Sequence, residues 1–76
     1  MEQQLIDLIS WNLKIPSSQL NPYSDFADDL LLDAIDKMLL IAYLEAQFGV
    51  YLSPEEAASI QTIQDASNFF TKKYAA

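Results

Sequence analysis

The sequence predicts an all-α fold, a four-helix bundle of three longer helices and one short one, with a long first loop. Three observations predict it. Apolar residues recur at helical spacing in three segments, 2–14, 33–48 and 62–70, and not in the alternation of a half-buried strand. The later helices each open on a capping residue (Asp33, Ser53 or Thr62), and Pro16 and Gly49 punctuate the ends. With 76 residues and no cysteine, the chain has room for one domain, 1–76, near the lower size limit for a core without disulfides.

The first helix, Glu2 to Lys14, carries Leu5, Leu8, Ile9 and Leu13 at helical spacing, and Pro16 stops it. The connection from Ile15 to Asp33 is unusually long for so small a domain, and loops of this length are often functional. Leu20, Phe26 and Leu30 recur along it and are expected to pin it to the core. The second helix, Asp33 to Phe48, starts on an aspartate cap and ends at Gly49, where a left-handed residue is wanted. Leu40, Ile41, Leu44 and Phe48 share one face at 100° per residue and are expected in the core. Ile35, Leu39, Ala42 and Ala46 form a second apolar stripe that points away from the first. This helix therefore carries more apolar surface than its own bundle needs.

Ser53-Pro54-Glu55-Glu56 reads as a helix opening: a cap, proline at the first position, then acids on the positive end of the dipole. The third helix is short and ends near Ile60. Thr62 caps the fourth, with Asp65 at capping-box distance. Ile63, Ala66, Phe69 and Phe70 form its inner face, and Lys72 and Lys73 suit its negative end.

Composition excludes most chemistry. Hydrophobic residues make up 51% of the chain, too many for disorder despite a net charge of -7. The absence of cysteine and histidine removes the thiolate, the commonest general base and the commonest metal ligand, so no metal site and no catalytic residue is expected. Eleven acids against four lysines repel phosphate backbones and anionic lipid, so neither nucleic acid nor membrane is expected as a partner. The longest apolar run, Met38 to Leu44, is far short of the ~20 residues of a membrane span. No export signal opens the chain, and a cytoplasmic protein, monomeric alone, is the expectation.

The loop end and second helix read Asp29-Leu30-Leu31-Leu32-Asp33-Ala34-Ile35, then Leu44-Glu45-Ala46-Gln47-Phe48-Gly49-Val50. Ser53-Pro54-Glu55-Glu56-Ala57, Ile60 and Thr62-Ile63-Gln64-Asp65-Ala66 follow. Over nearly its whole length the chain resembles the acyl carrier protein family, which has an Asp-Ser-Leu triplet at this helix start and Leu-Glu-x-x-Phe about ten residues on. Each element alone is weak; their order and separation make the match fairly specific. The resemblance implies a 4'-phosphopantetheine arm, moved by a transferase from coenzyme A onto the triplet serine, whose thiol holds an acyl group as a thioester. A helix N-terminus suits the arm's phosphate.

Here the attachment position is Ala34, which has no oxygen to modify. Three readings stand: an engineered serine-to-alanine change that holds a carrier in its apo form, a natural scaffold that has lost its arm, or a bundle in which Ala34 is simply a helix former. The otherwise intact motif favours the first. The resemblance further implies that Asp33, Ala34 and Ile35 face the phosphopantetheinyl transferase. Ketosynthase and other acyl-handling enzymes would dock on a face that includes Asp36, Leu39, Ala42, Glu45, Ala46, Glu55 and Glu56. Lys37, Leu39 and Ala46 depart from the acidic family pattern, which suggests a more hydrophobic partner surface or self-association. Leu44, Phe48, Leu52, Ile60 and Ala66 would line an acyl cavity, or be ordinary core. The expected role is a discrete, type II carrier of a fatty-acid or polyketide pathway, and not an enzyme. A D-alanyl or aminoacyl carrier is the alternative suggested by the Leu31-Leu32-Asp33 lead-in, and an arm-less helical interaction module is the other.

Overall fold

The computed structural model describes residues 1–75, and the side-chain surroundings of 1–74. Four α-helices follow in order: α1 (Glu2–Leu13), α2 (Ala34–Phe48), α3 (Pro54–Ser59) and α4 (Ile63–Ala75), with a 3-10 turn at Ser17–Gln19 inside the long loop. No strand forms among the described residues; the loop makes one isolated bridge, Asp25 to Thr62. Three longer helices, one short helix and a long first loop are the architecture the residue spacing implied.

Helix α1 packs against both α2 and α4. Its buried face is Leu5, Ile6 and Ile9, which corrects the expected stripe: Leu8 and Leu13 are only half-buried. A helix wedged between two neighbours buries the arc between them. That arc takes in Ile6 and leaves Leu8 at its edge, while Leu13 lies in the last turn. In α2 the buried residues are Leu40, Ile41 and Leu44. Phe48 is half-buried and stacks on Phe70 at 5.4 Å and, edge-on, on Tyr74 at 6.0 Å. In α4 Ile63, Ala66 and Phe70 close the core, and Phe69 is half-buried.

The helix ends show why the chain turns where it does. Gly49 has φ 67°, and a Cβ there would meet nothing within 4 Å, so the backbone conformation alone asks for glycine. Ser53 and Glu56 exchange the two bonds of a capping box, so the third-position acid does more than face the dipole. Thr62 and Asp65 do the same for α4: Thr62 Oγ1 accepts from Asp65 N at 3.1 Å, and an Asp65 carboxylate oxygen accepts from Thr62 N at 3.2 Å. Lys72 and Lys73 lie in the last turn of α4, but Lys73 turns back to Glu56 at 3.0 Å.

The long loop is an ordered part of the fold. Leu20 and Phe26 are buried, and Leu30 is half-buried. Its backbone is stitched to the start of α4: Phe26 N donates to Gln61 O at 2.9 Å, Ile63 N to Ser24 O at 3.1 Å and Gln64 N to Pro22 O at 2.8 Å. Leu32 N donates to Phe26 O at 2.9 Å, which carries this anchoring to the residues just before α2.

Candidate functional site

The first turn of α2 is set by one aspartate. Asp33 lies in extended backbone, and its carboxylate accepts from Asp36 N at 2.7 Å, satisfying one of the donors that a helix start leaves without an intrahelical partner. Ala34 is the first helical residue, and Asp33, Ala34, Ile35 and Asp36 are all exposed. A side chain at position 34 therefore stands in solvent at the positive end of a 15-residue helix, where an anion is favoured. The alanine methyl has no oxygen that could enter a phosphodiester. A covalent arm fits the surroundings of this residue but not the residue itself.

Around position 34 the surface is unusually apolar. Leu31 is 81% exposed, and Ile35, Met38 and Leu39 are each 64% exposed. Ala42 and Ala46 continue the exposed stripe along α2. Leu31 and Met38 escape the helical stripe pattern, one because it precedes the helix, the other because it sits at the stripe's edge. Leu31 also has φ 58°, a left-handed conformation that costs a branched side chain about 1–2 kcal/mol. The bonds from Leu30 N to Asp25 O and from Leu32 N to Phe26 O hold the residue there from both sides.

The acids of this face divide into two kinds. Asp36 and Glu55 are exposed. Glu45 and Glu56 are tied to the protein's own backbone. Glu45 accepts from Leu52 N at 2.8 Å, which fastens the segment after α2, and Glu56 serves the α3 cap and Lys73. The Glu56 carboxyl is held below its ordinary value of 4.5, first by the Ser53 backbone bond and then by the Lys73 ammonium. A depressed folded-state pKa means that this contribution to stability is present above 4.5 and fades as pH falls through the lower folded value. Glu56→Gln is therefore expected to lose the pH dependence of stability across and just below that value, relative to the parent, while keeping the cap. Urea midpoints measured between pH 3 and 6 check it, and parallel profiles for the two proteins would contradict it.

A cleft of about 450 Å³ opens beside position 34. Ala34, Lys37, Met38 and Ile41 of α2 form one wall, and Pro54, Ala57 and Ala58 of α3 the other. The residues read as acyl cavity or ordinary core do not border this cleft. Leu44, Leu52, Ile60 and Ala66 are buried in the central core, Phe48 packs beside it, and none of the five lines this cleft. The helical pattern identifies inward-facing residues, and in a close-packed bundle those fill the interior. Open space lies where α3, which buries no residue of its own, runs alongside α2.

Among the described residues no group of acids is placed to hold a metal ion, and no helix is long and apolar enough to cross a membrane. Residues 3–70 match the family model described as phosphopantetheine attachment site. The chain is 38% identical over 71 residues to the acyl carrier protein of Solidesulfovibrio magneticus, covering 93% of this chain and 91% of that protein. It is 34% identical over 73 residues to the acyl carrier protein of Chlorobium phaeobacteroides, covering 96% and 94%. A solved structure of acyl carrier protein from Enterococcus faecalis superposes with a TM-score of 0.77 at 29% identity, over 95% of this chain and 91% of that one.

Proposed function

The chain belongs to the phosphopantetheine-attachment family, and on that premise we propose that it is the scaffold of a discrete, type II acyl carrier protein, blocked at its arm position by Ala34. The observation that carries this reading is the placement of Ala34. It is exposed, at the capped start of the longest helix, beside an apolar cleft. In the serine-bearing parent a 4'-phosphopantetheine arm supplies the thiol that holds an acyl or polyketide intermediate, and the protein presents that intermediate to enzymes in turn. The chain is not itself an enzyme; it acts in the cytoplasm as a monomer. The cleft between α2 and α3 gives the acyl group shelter from water. An intact cap, loop and cleft around one missing hydroxyl favour an engineered serine-to-alanine change. Restoring the hydroxyl in Ala34→Ser and following arm uptake by mass tests the assignment.

Partners dock on the exposed face of α2 and its flanks. Glu45 and Glu56 shape that face from within, and Asp36, Leu39, Ala42, Ala46 and Glu55 meet the partner. A transferase, and a ketosynthase with a cationic rim and an apolar centre, fit this mixture of acids and exposed leucine and isoleucine. Leu39→Asp is expected to weaken ketosynthase binding about tenfold or more, because a central apolar contact is replaced by a charge that must be desolvated. Asp36→Lys is expected to slow association and make it less salt-dependent. Surface plasmon resonance against candidate ketosynthases checks both, and a partner indifferent to both changes would place the docking face elsewhere.

A further inference from the structure

Lys37 is the only cation in the whole stretch from Ile15 to Thr71. It lies one turn beyond Ala34, is half-buried, and forms part of the wall of the α2–α3 cleft. It also borders a second hollow with Asp25, Asp28 and Gln61. Yet the ion pair found among the described residues is Lys73 with Glu56, and Lys37 has none. Three of the nearby acids are bonded to backbone N–H groups, while the Asp28 carboxylate, across the second hollow, makes neither a hydrogen bond nor an ion pair among the described residues. Asp25 accepts from Ala27 N and Asp28 N, both at 2.8 Å, Asp29 accepts from Asp25 N at 2.7 Å, and Asp33 caps α2. In a chain of net charge -7, a lysine without an ion-pair partner, bordering an apolar cleft, is a cation available to a ligand held there.

We infer that Lys37 makes this cleft selective for an apolar chain that carries an anionic group, a carboxylate or a phosphate. The inference rests on the reading of the cleft as a space for acyl chains and adds the chemistry of its preferred occupant. Apolar contact with Met38, Ile41 and Ala57 binds the body of such a ligand. Lys37 supplies a full positive charge for its head, beside the positive end of α2, on a surface that is otherwise mostly acidic.

Chemical-shift titration of the Ala34 chain with octanol, octanoate and octyl phosphate tests it, followed at the amides of Ala34, Ile41 and Ala57. A partly exposed charge pair contributes a modest amount, so octanoate or octyl phosphate is expected to bind about two- to five-fold tighter than octanol. Whichever head gains identifies the source of the anion. Lys37→Gln should reverse the order, Lys37→Arg should keep it, and Lys72→Gln, which changes net charge equally, should leave it untouched. Equal affinity for all three ligands in the parent, or a preference that survives Lys37→Gln, overturns the role of Lys37 while the cleft remains an acyl site. Failure of all three ligands to shift the cleft amides overturns both.

Discussion

Replacing Phe26 with alanine is expected to bring the stability close to zero, so that a large fraction of the chain is unfolded at room temperature. Phe26 is 1% exposed and is one of the two largest fully buried side chains. Truncating a buried phenylalanine costs about 3–5 kcal/mol, through lost transfer free energy and the cavity that stays behind. A domain of this length without a disulfide has about 3–5 kcal/mol in total. The backbone around Phe26 offers no reserve. Its N–H is bonded to Gln61 and its carbonyl to Leu32, so losing the ring frees the loop from α4 and from the residues before α2 together. Tyr23, three residues earlier and 77% exposed, is the control, and Tyr23→Ala should change stability by no more than about 0.5 kcal/mol. Circular dichroism at 222 nm and urea unfolding of the two variants check the contrast. A Phe26→Ala protein with the parent's midpoint would mean that the loop is not anchored as described.

What the residue pattern made legible was what local chemistry encodes. Capping residues at Asp33, Ser53 and Thr62 and a glycine at position 49 delimit α2, α3 and α4 almost to the residue, because each satisfies backbone groups within one turn of itself. The outward stripe of Ile35, Leu39, Ala42 and Ala46 follows from helix geometry, and all four are exposed. Less legible was anything set by two elements at once. Ile6 is buried because α1 has neighbours on two sides, which periodicity within α1 does not contain. The carboxylates of Glu45 and Glu56 looked like surface charge, since their partners Leu52 N and Lys73 come from other segments. Leu31 carried no signal of its left-handed backbone, because the constraint comes from bonds made by Leu30 and Leu32. The cleft beside position 34 carried no signal for a related reason: inward-facing residues were identifiable, but where packing stops is a property of how α3 lies against α2.

Position 34 joins the fold to the function. The cap at Asp33 and the anchored loop place that residue in solvent at a helix start, and under the proposed function a hydroxyl is what it lacks. Serine at position 34 would occupy the same exposed first turn with no change in packing, so the substitution should not disturb the fold. Incubated with coenzyme A and a broad-specificity phosphopantetheinyl transferase, Ala34→Ser is expected to gain about 340 Da, the mass of one arm. The parent chain under the same conditions should keep its mass. Intact-protein mass spectrometry decides between them. A single gain confined to the serine variant is the predicted result. A folded Ala34→Ser protein that several such transferases leave unmodified would contradict the assignment of this chain as a carrier scaffold.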